Sequence, residues 1–282
     1  MGSDEVRVAR DGGVLTLTID RPGDQNRLTS DVIATLQDVV ERLAVDEQTQ
    51  AVIVTGGGSQ FFSMGILNPA VRASYTKEQI LALVRAANRL FDEIEALPQI
   101  VIAALNGVTR AGAAELSLAC DIRLAAAHAT IAWPEALWGG FPGAGAPVRL
   151  PAIVGRARAL ELICTGREID AAEMERLGLV LAVHPAERLL PEAKALAARI
   201  AASGPLATRG AKRIMNMREL SGFTAARTLS DTLRYALEWS CEPQDVAGLG
   251  PRRPRRAYEW SRDVDEGMAA HREGRPPRFI GR

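Results

Sequence analysis

The stretch Leu105–Asp121, LNGVTRAGAAELSLACD, constrains this chain most. An apolar strand over Ile100–Leu105 runs into Asn106-Gly107, and Ala111-Gly112-Ala113-Ala114 then opens a short apolar helix. Small residues at such a strand-to-helix turn let another group approach the backbone closely. The first N–H groups of the helix have no partner inside it, and the helix dipole makes that end positive. The turn is therefore suited to holding a developing negative charge. One turn further in, Glu115 places a carboxylate among Ala, Leu and Cys. Burial there raises a carboxyl pKa toward the range of a general acid or base at neutral pH. The same residues also fit a plain small-residue helix packed on a sheet, with Glu115 at its surface.

Composition narrows the field around this stretch. A chain of 282 residues, 47% apolar and 24% charged, is an ordinary globular protein of one large domain or two, with ample core. Its 34 Lys and Arg balance its 34 Asp and Glu, so no net charge draws it toward nucleic acid or an acidic membrane. Cys120, Cys164 and Cys241 are far apart and lack ligand spacing, which excludes a disulfide framework or zinc site and fits a reducing, cytoplasmic compartment. No segment reads as a signal peptide or transmembrane helix.

Along the chain, Val6–Arg10 and Val14–Ile19 alternate around Asp11-Gly12-Gly13, a hairpin signal. Thr29–Ala44 reads as a helix with Ser30 able to cap it and Val32, Ile33, Leu36, Val39, Val40 and Leu43 as its apolar stripe. Ala51–Thr55 is a buried strand, Phe61–Leu67 an apolar run with a central glycine, and Asn68–Thr76 irregular. Lys77–Leu97 is a long amphipathic helix stopped by Pro98. Strands are expected at Ile122–Ala126, Thr130–Trp133 and Val180–Val183, and helices at Gly155–Thr165 and Ala171–Gly178. Between them, Pro134–Pro151 is rich in Gly and Pro. From Ala186 onward the pattern is helical only, with helices at Leu189–Ser203, Leu206–Leu220, Thr224–Ser240 and Val264–Arg272. The division into an α/β part, residues 1–200, and a helical part, 201–282, falls there.

Two sequence-distant turns, Met64-Gly65-Ile66 and Ala111-Gly112, each follow a strand. Parallel strands of one sheet would set them side by side, with two N–H groups aimed at one oxygen. Such a pair polarises a thioester carbonyl and stabilises its enolate. Glu115 and Glu135 are two carboxylates able to share acid and base duties across one site. Taken alone, Glu135 also fits a solvated loop. Nucleophilic catalysis finds no G-x-S-x-G, and phosphate-cradling glycine motifs are absent. Arg252, Arg253, Arg255 and Arg256 fit a solvated loop better than a phosphate grip.

In series these pieces resemble the crotonase superfamily, the enoyl-CoA hydratase/isomerase family. The resemblance runs through VLTLTIDRP, AVIVTGGG, FFSMGI, IVIAALNGVTRAGAAELSLACDIRLA, TIAWPEALWGGFPGAG, ARALELICTG, AAEMERLGLV and EGMAAHREGRPPRF. It implies an α/β spiral of β-β-α units followed by a helical region that builds homo-trimers, often paired into hexamers. It also implies an oxyanion hole on the N–H groups of Ile66 and Gly112, catalytic glutamates at Glu115 and Glu135, and a water-orienting N–H at Gly143. Coenzyme A, arriving as part of the acyl-CoA substrate rather than as a tightly bound cofactor, would lie along Asp24-Gln25 and the turn Met64, Gly65, Leu67 and Asn68. No metal, nucleic acid or membrane partner is implied. The implied activity is hydration of a 2-enoyl-CoA in lipid metabolism. An enoyl-CoA isomerase using one glutamate, and a catalytically silent binding protein on the same fold, are the alternatives. The sequence departs from the family pattern at Met64-Gly65-Ile66-Leu67, where Ala-Gly-Ala-Asp is common, and at Gly145-Ala146-Pro147-Val148-Arg149-Leu150, where Gly-Gly-Thr-Gln-Arg-Leu is common.

Overall fold

A computed structural model describes residues 5–238 and 262–280. The Arg252–Arg256 run and Cys241 lie outside the described residues. Strands β1 (Val6–Asp11) and β2 (Val14–Ile19) form the expected antiparallel hairpin. Helix α1 (Ser30–Leu43) buries the predicted stripe, but Thr29 rather than Ser30 caps it, its hydroxyl accepting from the Val32 N–H at 3.3 Å. Thr29 has extended backbone, which lets its side chain fold over the open end, whereas Ser30 already lies in the first turn.

The chain then repeats one pattern. A strand of a main sheet is followed by a short strand of a second sheet, and then by helix. β3 (Ala51–Gly56) leads to β4 (Phe61–Ser63), then α2 (Pro69–Ala73) and α3 (Lys77–Ala96). β5 (Ile100–Leu105) leads to β6 (Val108–Arg110) and α4 (Gly112–Ala119). β7 (Ile122–Ala126) leads to β8 (Thr130–Ala132), a 3-10 turn at Pro134–Trp138, α5 (Ala146–Val154) and α6 (Arg156–Thr165). β9 (Ile169–Asp170), α7 (Ala171–Arg176) and β10 (Ala182–His184) close this part. The main sheet has the order β1-β2-β3-β5-β7-β10 and is parallel beyond the first hairpin; the second has the order β4-β6-β8-β9. This is the expected spiral of β-β-α units.

The core strands β3 and β5 are buried on both faces, as apolar runs covered on each side must be. Asn106 ties successive turns together. Its amide donates to the Gly56, Gly58 and Phe61 carbonyls, and its oxygen accepts from the Gly56 N–H. The segment expected to be irregular, Asn68–Thr76, and the Gly- and Pro-rich Pro134–Pro151 both hold helix. Asn68 caps α2 through the Val71 N–H at 2.9 Å. In the Gly- and Pro-rich stretch, Pro147 falls in the first turn of α5, where an N–H would have had no partner.

By its contacts the chain divides between Ala197 and Ala198, within α8 (Ala186–Ala201). The C-terminal unit, described by itself, holds α9 (Pro205–Glu238), broken at Gly222, and α10 (Arg262–Glu273). Gly222 takes φ 81°, outside the helical region, so two helices meet there as the sequence pattern anticipated. The Glu266 carboxylate accepts from Arg275 at 2.6 Å and from the Arg278 N–H at 2.6 Å, which ties the tail back onto α10. No helix among the described residues is long and apolar enough to cross a membrane.

Candidate active site

A cavity of about 490 Å³ opens where the Gly65 and Gly112 turns meet. The two turns touch. A Cβ at Gly65 would lie 2.5 Å from the Arg110 carbonyl and 2.9 Å from the Gly112 nitrogen, and one at Gly112 would lie 2.6 Å from Ile66 Cδ1. Gly65 also takes φ 81°, so glycine serves both the conformation and the close approach. Leading into α4, Ala111 takes φ 52° and ψ −127°, a strained conformation for a residue with a Cβ. Among the described residues, no acceptor takes the N–H of Ile66 or of Gly112.

Glu115 is 2% exposed on α4. Its Oε1 accepts from the N–H groups of Ala144 (2.8 Å) and Ala146 (3.0 Å). Burial is the largest influence on its carboxyl and, helped by the nearby Glu135 charge, pushes the pKa up to about 7 against the pull of the two N–H donors and Arg149. Glu135, on the 3-10 turn, is pushed up to about 7 as well, by burial, and its Oε2 is buried without a hydrogen-bond partner. Two carboxyls pushed up to about 7 thus face one cavity, one accepting two N–H bonds from the Ala144–Ala146 turn and the other only that of its own residue.

Of the residues singled out in the sequence, Ile66, Leu67, Asn68, Gly112, Glu115, Glu135 and Gly143 line this cavity. Met64 and Gly65 lie in the turn beside it, and Asp24 and Gln25 sit further out. Asp24 pairs with Arg21 at 2.9 Å, and the Gln25 carbonyl accepts from the Met64 N–H at 3.1 Å, which joins the outer loop to the turn. Trp138 lines the cavity, whereas Trp133 is buried in the core. Sequence reasoning missed Arg72, Ile80, Val84 and Phe141 in the lining, and it missed Asn88 and Arg149 behind it. A signal for the last two was present. Each is a polar residue interrupting the apolar pattern of its helix, Asn88 in α3 and Arg149 in APVRLPAIV.

A family model described as enoyl-CoA hydratase/isomerase matches residues 9–249. A crotonyl-CoA hydratase of Syntrophomonas wolfei is 34% identical over 77% of this chain and 83% of its own length. A short-chain-enoyl-CoA hydratase of Clostridium acetobutylicum is likewise 34% identical, over 77% of this chain and 82% of its own. Among solved structures, an enoyl-CoA hydratase of Bacillus anthracis superposes with a TM-score of 0.88 at 31% identity, covering 99% of this chain and 100% of that one. The match to the family model, which spans most of the chain, agrees with the β-β-α spiral and its two touching turns: the chain belongs to the enoyl-CoA hydratase/isomerase family.

Proposed function

We propose that this chain adds water across the double bond of a 2-enoyl-CoA, with Glu115 as base and Glu135 as acid. The observation that carries this reading is the placing of both carboxyls in the cavity that the Ile66 and Gly112 turns also line. In an oxyanion hole of this kind, two N–H groups without protein acceptors hold the thioester oxygen. Glu115 takes a proton from water, and the water oxygen bonds to Cβ. The π electrons move through Cα onto the thioester oxygen, giving an enolate stabilised by the Ile66 and Gly112 N–H groups. As the enolate collapses, Cα takes its proton from Glu135. Roles follow environment: two N–H bonds favour the ionised form of Glu115, in which it can take a proton, and the buried Oε2 of Glu135 without a partner favours its protonated form.

In this reading the Gly143 N–H helps orient the water. The CoA portion runs past Leu67 and Asn68 and out along Met64, Gly65 and the Asp24-Gln25 loop, segments already joined by the Gln25–Met64 hydrogen bond. The chemistry calls for no metal and no tightly bound cofactor. The helical C-terminal unit builds a homo-trimer or hexamer, as the family resemblance implies.

The test is the loss of ultraviolet absorbance of crotonyl-CoA. Wild type is expected to hydrate it, and Glu115→Gln and Glu135→Gln each to lose about 10²-fold or more in kcat. Hydration with either variant near wild-type rate overturns the two-carboxylate mechanism. Binding of CoA thioesters without hydration points instead to a single-glutamate isomerase.

A further inference from the structure

The turn that supplies the N–H donors to Glu115 is braced by side chains outside it as well as by its backbone bonds into α5. The stretch 139–145 connects the 3-10 turn to α5, with Gly145 at φ 114°, a conformation open to glycine. What braces it is Arg149, only 9% exposed on α5. Its guanidinium reaches three groups at once. Nη1 donates to the Ala144 carbonyl at 3.4 Å, Nε to Glu95 at 2.9 Å and Nη2 to Asp92 at 2.5 Å. Asp92 and Glu95 both belong to α3. A Cβ at Gly145 would collide with Nη1, so the turn closes directly over the guanidinium. A second tether runs from the same helix to the other end of the turn: Asn88 Nδ2 donates to the Gly143 carbonyl at 2.8 Å.

The geometry points to Arg149 as a positioning residue for the catalytic base. Clamped by Asp92 and Glu95 on α3, it sets the direction in which Ala144 and Ala146 present their N–H groups to Glu115. Arginine suits the task because its planar fork makes several fixed hydrogen bonds together, which a lysine ammonium on a flexible stem does not. Neither Arg149 nor Asn88 lines the cavity, so Asn88 acts through the turn and Arg149 through the turn and its charge. The charged and titratable groups bearing on Glu115 are Glu135 across the cavity and Arg149 behind the turn, with Arg72 of α2 in the cavity lining. This inference rests on the assignment of Glu115 as base, and two measurements keep the two apart.

The first is the pH profile of crotonyl-CoA hydration for wild type, Arg149→Lys, Arg149→Met and Asn88→Ala. Loss of the clamp removes both the N–H donors and a nearby positive charge from the Glu115 carboxylate, so the limb on which the base ionises moves to higher pH. In Arg149→Met we expect kcat to fall about 10–100-fold at pH 6, with partial recovery by pH 9 and KM within about threefold of wild type. Arg149→Lys falls between, and Asn88→Ala shows the same shift in smaller measure without touching a buried charge. The second is a carbon-13 NMR titration of glutamate side chains, with the Glu115 signal identified by its absence in Glu115→Gln. It reads the same upward shift whether or not the protein turns over crotonyl-CoA. A loss of rate uniform across pH, with the Glu115 titration unmoved in Asn88→Ala and Arg149→Lys, overturns the positioning role and leaves Arg149 as a structural clasp. An inert wild type whose Glu115 titration still shifts upholds the clamp and overturns the hydratase reading instead.

Discussion

Glu115 and Glu135 are kept in a protonation balance that a surface carboxylate would not show, and the balance costs stability. Both groups titrate at about 7 in the fold, against 4.5 ordinarily. Between those values the unfolded chain releases protons that the folded chain keeps. Stability contributed by these groups is therefore full below about pH 4.5 and falls as pH rises to about 7. A gap of this size corresponds to roughly 3 kcal/mol for one group. Glu135→Gln, which cannot ionise, is expected to be more stable than wild type by about 2–3 kcal/mol in urea at pH 8, with the difference vanishing toward pH 4. A constant difference across that range would contradict the raised pKa. Strain at Ala111 works at the same scale. Ala111→Gly removes the Cβ that makes φ 52° costly and is expected to stabilise by about 1 kcal/mol in urea, net of glycine's greater unfolded-state entropy.

At the scale of elements, the proposed catalytic geometry depends on two turns being in contact and on α4 being anchored at both ends. Gly65→Ala drives a Cβ against the Arg110 carbonyl and the Gly112 nitrogen, so the two turns part. Crotonyl-CoA hydration is expected to fall by about 10²-fold or more in kcat/KM, because sub-ångström placement of the donors is what the turns provide. At its other end, α4 is held by the nearly buried Arg123 of β7. Arg123 donates to the Ser117 carbonyl at 3.1 Å and to the Cys120 and Leu179 carbonyls, each at 2.7 Å. Arg123→Met leaves those buried acceptors without their donor, and a loss of about 2–4 kcal/mol in urea midpoint analysis is expected. Long apolar runs made the main-sheet strands legible. β6 and β9 were not, because strands of three and two residues carry no period of their own and exist only through pairing with β4 and β8. Helix α2 was hidden because its cap, Asn68, was read as part of an irregular run.

Across the whole molecule, a single chain leaves large apolar side chains at its surface. Leu181, Met215 and Ile280 are each more than half exposed, and so are Phe141 and Val148. Assembly of the kind the family resemblance implies would cover side chains of this kind. Light scattering of the purified protein is expected to give three or six times the chain mass of 30.3 kDa. A mass of one chain would overturn the assembly proposed for the C-terminal unit.

The ordered series of motifs determined the family and, through the family resemblance, the β-β-α spiral and the candidates Ile66, Gly112, Glu115 and Glu135; Gly112 and Glu115 also belong to a local pattern of strand, glycine turn and helix. Only the tertiary structure decided which candidates share a cavity. It set Asp24 and Gln25 outside the lining, brought Trp138 and Phe141 into it and buried Trp133. It also joined Glu115 to the N–H groups of Ala144 and Ala146, about 30 residues away along the chain, and tied that turn to Asn88 and Arg149. Local sequence encodes which turns and helices form; the distances between them, and so the pKa of a buried carboxyl, come from packing.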